Sequence, residues 1–189
     1  MAAVDNLDQT FDPMRDFFHR RQAALLDDQA VGVELMTERS VVYPGTFLDP
    51  APSITATIEL HSRPVGEICY GVSPLLDRVY LDDLVITKAS KRRGLGQAAL
   101  WQLWCTHRLP LTPLSQALGS GLFWATVRRR FSAAGATITQ DLRNEEQDAE
   151  QLRWQNLVPE SAMDRSIRRY WEWVEAEHAA GRPAGPGVR

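Results

Sequence analysis

The sequence predicts a mixed α/β (α+β) domain: one mostly antiparallel central sheet flanked by helices, with an extra helix near the C-terminus. Three observations lead there. Residues 53–60, SITATIEL, alternate apolar and polar side chains, the period of a half-buried strand. Two more strand-like segments, VGEICYGV (65–72) and RVYLDDLVI (78–86), follow across short turns, and the first pair reads as an antiparallel hairpin. Beyond residue 86, helical and strand-like segments alternate, an order that favours helices packed on one sheet.

A helix is expected over 12–27, with Asp12 as its cap and Pro13 at its first position. Met14, Phe17, Phe18 and Leu25 lie on or near one face of it. VGVELM (31–36) is strand-like, and SVVY is a candidate continuation. YPGTFLDPAPS is rich in proline and glycine and reads as a loop. After the hairpin and the third strand comes a helix from about Gln97 to His107, apolar nearly all round and therefore expected to be buried. LPLTPLSQAL holds a short strand weakened by two prolines. A helix from Leu122 to Ala134 carries the stripe Phe123, Val127, Phe131 and Ala134, and Gly135 can end it. ATITQDL is expected to be a further strand. Residues 143–151 are acidic and read as a solvated loop or a helix start, and LRWQNLV stays open between a strand and a helical turn. Ile167, Tyr170, Trp171 and Val174 follow the i, i+3, i+4, i+7 rule of a last helix. The result is one domain over 1–180, with its core at about 31–142, a helical extension at about 160–180, and a tail at 181–189 expected to be disordered.

A net charge of −3 argues against nucleic acid as a partner, which usually needs a basic domain, yet it allows a local basic patch for one anionic ligand. Cys69 and Cys105 form no CxxC pair and no Cys/His cluster with zinc spacing. No metal and no disulfide framework is expected, and a reducing cytoplasmic setting is the default. His19, His61, His107 and His178 share no spacing, and none is assigned to chemistry. No apolar run reaches the roughly 18 residues that span a bilayer. The N-terminal MAAVDNLDQTFDP lacks the apolar centre of a signal peptide, so no membrane partner is expected.

The chemistry concentrates in residues 79–104, VYLDDLVITKASKRRGLGQAALWQLW. Gly94 and Gly96 allow a close backbone approach and positive φ between a strand and a helix. The helix that follows presents free N–H groups, at Leu95, Gly96 and Gln97, and the positive end of its dipole. Lys91, Arg92 and Arg93 add three cations, completing a cradle for a phosphate or pyrophosphate. The pattern is neither GxxxxGK[ST] nor GxGxxG. The alternative is a solvated basic turn.

The spacing [Q/R/K]-x-x-G-x-G, after the apolar LVI and before an apolar helix, resembles motif A of the GNAT N-acetyltransferase superfamily, over about residues 53–140. The resemblance implies a GNAT-like sheet and acetyl-CoA as cofactor. It implies that the strand at Leu84, Val85 and Ile86 splays from its neighbour and pairs with the pantetheine arm. It further implies that the backbone N–H groups of the loop hold the pyrophosphate, and that Ser120 caps the next helix or touches the pantetheine arm. Two features depart from the family: a helix precedes the first strand, and the last 45 residues or so have no family counterpart.

Simple alternation puts Tyr80, Asp82, Leu84 and Ile86 on one face of the strand and Val79, Leu81, Asp83 and Val85 on the other. Each face of a buried-looking strand then carries one carboxylate, which needs a partner or a purpose. One purpose is general-base catalysis. YLDD resembles the YLED segment of diamine acetyltransferases, which implies a cationic amine acceptor, Asp82 as base, and Asp83 as a second acid or structural partner. RRFSAAGA resembles the family segment that carries a proton-donating Tyr, but Phe131 stands in its place; Ser132 and Tyr80 are the weak substitutes. Arg128 to Arg130 read as a solvated face. The expected acceptor is a small-molecule or protein amine, and a homodimer is compatible. Two rival functions follow: a catalytically weak CoA-binding interaction module, with Trp171 and Trp173 as partner surface, and an acetyltransferase acting on protein or aminoacyl-tRNA.

Overall fold

The computed structural model describes residues 13–182, and the expected cap at Asp12 and most of the expected tail lie outside them. The chain divides into two compact units, Met1–Trp154 and Gln155–Arg189.

The first unit is a five-stranded sheet in the order β1-β2-β3-β4-β5, formed by β1 (Val33–Val41), β2 (Ser53–Leu60), β3 (Arg63–Val72), β4 (Val79–Ile86) and β5 (Leu111–Pro113). β1 to β4 pair antiparallel, and only β4 and β5 run parallel. Its helices are α1 (Pro13–Ala30), α2 (Leu95–His107), α3 (Gly121–Ala133) and α4 (Asn144–Gln151). The mixed, mostly antiparallel architecture is the one the sequence predicts. Among the described residues, no helix is long and apolar enough to cross a membrane.

α2 is the centre of the core. All of Leu95–Trp101 and Leu103 are buried, and the helix packs on α1, β1 and β4. Against it lie Ala56, Ile58, Ile68, Val79 and Leu81 from the sheet and Val127 and Phe131 from α3. Each such fully buried side chain contributes roughly 1.5–3 kcal/mol. The Trp101 indole N–H donates to Asp27 Oδ1 at 2.7 Å, which ties α1 to α2.

A smaller cluster of Leu48, Tyr80 and Trp154 closes the other side of β4, with Phe47 edge-on to both rings. The Tyr80 hydroxyl donates to Glu150 Oε1 at 2.6 Å, and Arg78 and Arg153 bind the same carboxylate. Arg153 also pairs with Asp77. Residues 144–154 are therefore a clasp over the start of β4.

Several expectations are corrected. The buried side of α1 is not the Met14–Phe17–Phe18–Leu25 face, all of which is exposed; it is the stripe Ala23, Leu26 and Ala30, whose two alanines let the helix approach α2 closely. ATITQDL does not form a strand. It makes two isolated parallel bridges, Ile138 to Leu111 and Leu142 to Leu114, because β5 is only three residues long and offers no longer edge. LRWQNLV resolves as a 3₁₀ turn over Leu152–Leu157.

The second unit holds α5 (Ala162–Ala179). Ser161 caps it, its Oγ accepting from the Asp164 amide at 3.0 Å. Of the expected apolar stripe only Val174 is buried; Ile167, Tyr170 and Trp171 are exposed.

Candidate functional site

The site starts from a defect in β4. Cys69 of β3 sits opposite Asp83, but the next pair is Tyr70 with Leu81, so Asp82 is an extra residue in the ladder. Such a bulge bends the strand and interrupts its side-chain alternation. The predicted faces are corrected accordingly: Leu81, Leu84 and Ile86 all join the main core, while Tyr80 enters the opposite cluster. An uninterrupted strand could not place residues 81 and 84 on one side.

The bulge coincides with a parting of strands. β4 pairs with β5 only at Val79–Leu111, Tyr80–Thr112 and Leu81–Pro113, and the last backbone bond runs from the Leu114 amide to the Leu81 carbonyl at 2.8 Å. Thereafter the chain leaves through Ser115 to Ser120, and β4 from Asp83 to Ile86 keeps a partner on the β3 side alone. The opening is a cleft of about 150 Å³ whose walls include Asp82, Asp83, Leu84, Gln116, Ser120 and Phe123. The Phe123 ring, one wall of the cleft, also lies 3.5 Å from the place where a Gly96 side chain would begin, so it stands between the cleft and the start of α2.

The turn predicted to cradle an anion lies on the Gly96 side of that ring. Gly94 precedes α2 with φ +80°, in the left-handed region, and Arg92 two residues earlier has φ +62°. Among the described residues the amides of Leu95, Gly96 and Gln97 have no acceptor, as expected at a helix start. Lys91, Arg92 and Arg93 are exposed, and none forms an ion pair among the described residues. Gly96 has room for a methyl group, so packing within the chain does not demand glycine there.

Side chains distant in sequence hold this turn. The Arg130 guanidinium donates to Gln97 Oε1 at 2.8 Å, Gln97 Nε2 donates to Gln29 Oε1 at 3.3 Å, and Gln29 Nε2 reaches the Gly94 carbonyl at 3.5 Å. Gln97, buried, is the hub of a relay that joins α1, α2 and α3 to the glycine turn. Its side chain serves this relay, while its amide remains part of the cradle. A signal existed only in retrospect: polar Gln97 interrupts an otherwise apolar helix face.

The two acids are exposed rather than buried, a correction that follows from the bulge and the missing β5 partner. Asp83 Oδ1 accepts from the Leu84 amide at 2.8 Å. Asp82 forms no hydrogen bond or ion pair among the described residues. Their charge is felt nearby. Burial pushes the Cys69 thiol up, the Thr55 hydroxyl opposes this, and the carboxylates of Glu67, Asp82 and Asp83 push it up further. Cys69 is itself only half-buried, on the sheet face that carries these acids.

Other expected residues fall away from the cleft. Phe131 is fully buried, edge-on to Trp101. Tyr80 is committed to Glu150 and lies in the opposite cluster, and its hydroxyl is held strongly protonated by burial and by that carboxylate. Ser120 lines the cleft but does not cap α3, since its Oγ donates to the Ala117 carbonyl at 2.6 Å. Arg128 to Arg130 are not a uniform solvated face: Arg128 Nε donates to the Thr139 carbonyl and Arg130 joins the relay. Gln116, not singled out from sequence, lines the cleft with a buried Nε2 that has no partner among the described residues. Among the described residues no group of three or more His, Cys, Asp or Glu could hold a metal ion.

No protein-family model matches the chain, and no curated protein and no solved structure matches it.

Proposed function

We propose that the protein is an N-acetyltransferase that moves an acetyl group from acetyl-CoA to a primary amine by direct attack. The observation that carries this reading is the parting of β4 from β5 at the Asp82 bulge, with unburied carboxylates lining the cleft and a cationic, amide-rich turn across the Phe123 ring from it. The pyrophosphate binds the amides of Gly94, Leu95, Gly96 and Gln97 with Lys91, Arg92 and Arg93 around it. The amide-bearing arm adds as a pseudo-strand to the free edge at Leu84, Val85 and Ile86. The thioester thereby comes to the bulge, where unpaired backbone N–H groups of β4 polarise its carbonyl.

At that end Asp82, directly or through water, accepts a proton from the incoming ammonium. The neutral nitrogen attacks the carbonyl carbon, the C–N bond forms, and the C–S bond breaks from the tetrahedral intermediate. The nitrogen gives up its second proton as the intermediate collapses, and that proton passes to the departing thiolate through Ser120, Ser115 or water, since Phe131 has none to give. The field of Asp82, Asp83 and Glu67 favours a cationic acceptor.

Calorimetry with acetyl-CoA, followed by thiol release against a panel of diamines and monoamines, tests the reading. Stoichiometric binding and amine-dependent thiol release are expected. Absence of acetyl-CoA binding overturns it. A second reading, a CoA-binding module without turnover, has one observation in its favour, the burial of Phe131 in the core. Binding without thiol release across the panel selects it.

A further inference from the structure

A second concave surface lies beside the cradle, and the cleft does not use it. The β2–β3 turn and the segment leading into α2 enclose a cavity of about 610 Å³ lined by Leu60, His61, Arg63, Pro64, Val65, Ala89, Ser90 and Arg93. That volume is in the range of small-ligand sites. Three of these residues carry cationic or protonatable side chains, and none is acidic. Among the described residues neither Arg63 nor Arg93 forms an ion pair, although Arg78, Arg153, Arg165, Arg168 and Arg182 all do.

The walls are held. The Thr87 amide donates to the Val65 carbonyl at 2.8 Å and joins the two segments. The His61 amide donates to the Gly32 carbonyl at 2.8 Å, and the His61 ring lies so close to Gly32 that a β-carbon there would stand 2.1 Å from it. The turn itself is unusual. His61 and Ser62 both have positive φ, +49° and +60°, where Asn-Gly is the inexpensive choice. A non-glycine residue held in this region marks a place to look for function.

We infer that this cavity is a phosphate-monoester site, with His61, Arg63 and Arg93 as its ligating side chains. Cations from two segments line one cavity with no carboxylate among them, which suits a dianion better than a single carboxylate, and the arginine forks supply paired donors to phosphate oxygens. The phosphate can belong to the ligand held by the neighbouring cradle, since Arg93 directly precedes Gly94, or to a separate small phosphate.

Two probes distinguish these sources. The first compares calorimetric affinities for CoA and 3′-dephospho-CoA in the full chain and in Arg63→Gln and His61→Asn; this arm rests on the acyl-CoA reading. Asn tolerates the left-handed turn, and Arg63 is exposed, so unchanged melting temperatures serve as the folding control. If the phosphate is the ligand's own, the parent prefers CoA by about tenfold, and Arg63→Gln loses most of that preference while 3′-dephospho-CoA binds as before. The second probe is inorganic phosphate followed by ³¹P line broadening, which needs no nucleotide. Saturable broadening in the parent and its loss in Arg63→Gln support a free-phosphate site, even if neither nucleotide binds. Equal affinity for the two nucleotides together with no saturable phosphate broadening overturns the proposal. Nucleotide binding in that case leaves the acyl-CoA reading standing by itself.

Discussion

The two halves of β4 contrast within eight residues. Val79, Tyr80 and Leu81 are buried, paired on both sides and covered by a core on each face. Asp83 to Ile86 pair with β3 alone, Asp82 pairs with neither neighbour, and three of these five side chains are exposed. One extra residue, Asp82, separates the halves. The first half is stability and the second is access. The strand can expose carboxylates and backbone edge without loosening, because its first half is clamped by β3, β5 and the clasp from Glu150. A site built this way inherits the rigidity of the sheet.

The contrast can be broken or sharpened experimentally. The largest effect is expected from Gly94→Glu, which forces a side chain into a φ of +80°, 2.1 Å from Gln29 Nε2, and puts a negative charge where an anion should bind. Calorimetry should show acetyl-CoA affinity falling by more than about 100-fold, with the melting temperature shifted by only a few degrees. Asp82→Asn keeps the bulge and its size but removes the base; turnover should fall about 100-fold near neutral pH with acetyl-CoA affinity within about twofold. Unchanged turnover removes Asp82 from the mechanism.

A stability pair tests the contrast itself. Val79→Ala should cost about 2 kcal/mol in urea unfolding, and Val85→Ala, on a half-exposed side chain of the same strand, less than about 0.5 kcal/mol. Equal costs would mean that the two halves are not distinct. Gln29→Ala should weaken acetyl-CoA binding about fivefold by freeing the Gly94 carbonyl, with little loss of stability.

The smallest effect concerns His107, at the end of α2 and edge-on to Tyr70. Burial holds its imidazole below the ordinary value of 6.5, so the unfolded chain binds a proton there more readily. The stability this contributes is present above pH 6.5 and is lost as pH falls through the lower folded value. In urea titrations between pH 7.5 and 5, His107→Gln should flatten that decline slightly.

The sequence was read well where a local pattern decides the outcome. β2 has the predicted bounds, and α2 is buried through Leu95–Trp101, as its apolar composition requires, though Thr106 near its end is exposed. The misreadings share a cause: each depends on a partner that a single segment does not reveal. Alternation along β4 cannot show a bulge, because a bulge exists only relative to β3. ATITQDL has strand-like residues, but β5 is too short to pair with it. The apolar residues of α1 outnumber its docking stripe, and the choice of side is made by Ala23, Leu26, Ala30 and the Asp27–Trp101 bond. At the site, the glycines and cations were legible from spacing and backbone chemistry. The Arg130–Gln97–Gln29 relay was not, since its members are 33 and 68 residues apart in sequence.

The clasp over β4 sets a rule for anyone trimming the gene. A fragment ending at Leu142, after the last bridge to the sheet, leaves the Tyr80 hydroxyl without its acceptor and strips Trp154 from the rings of Phe47 and Tyr80. Such a fragment keeps every strand and still exposes a fresh aromatic surface, which invites aggregation during expression. Crystallisation fragments and fusion junctions belong after Trp154.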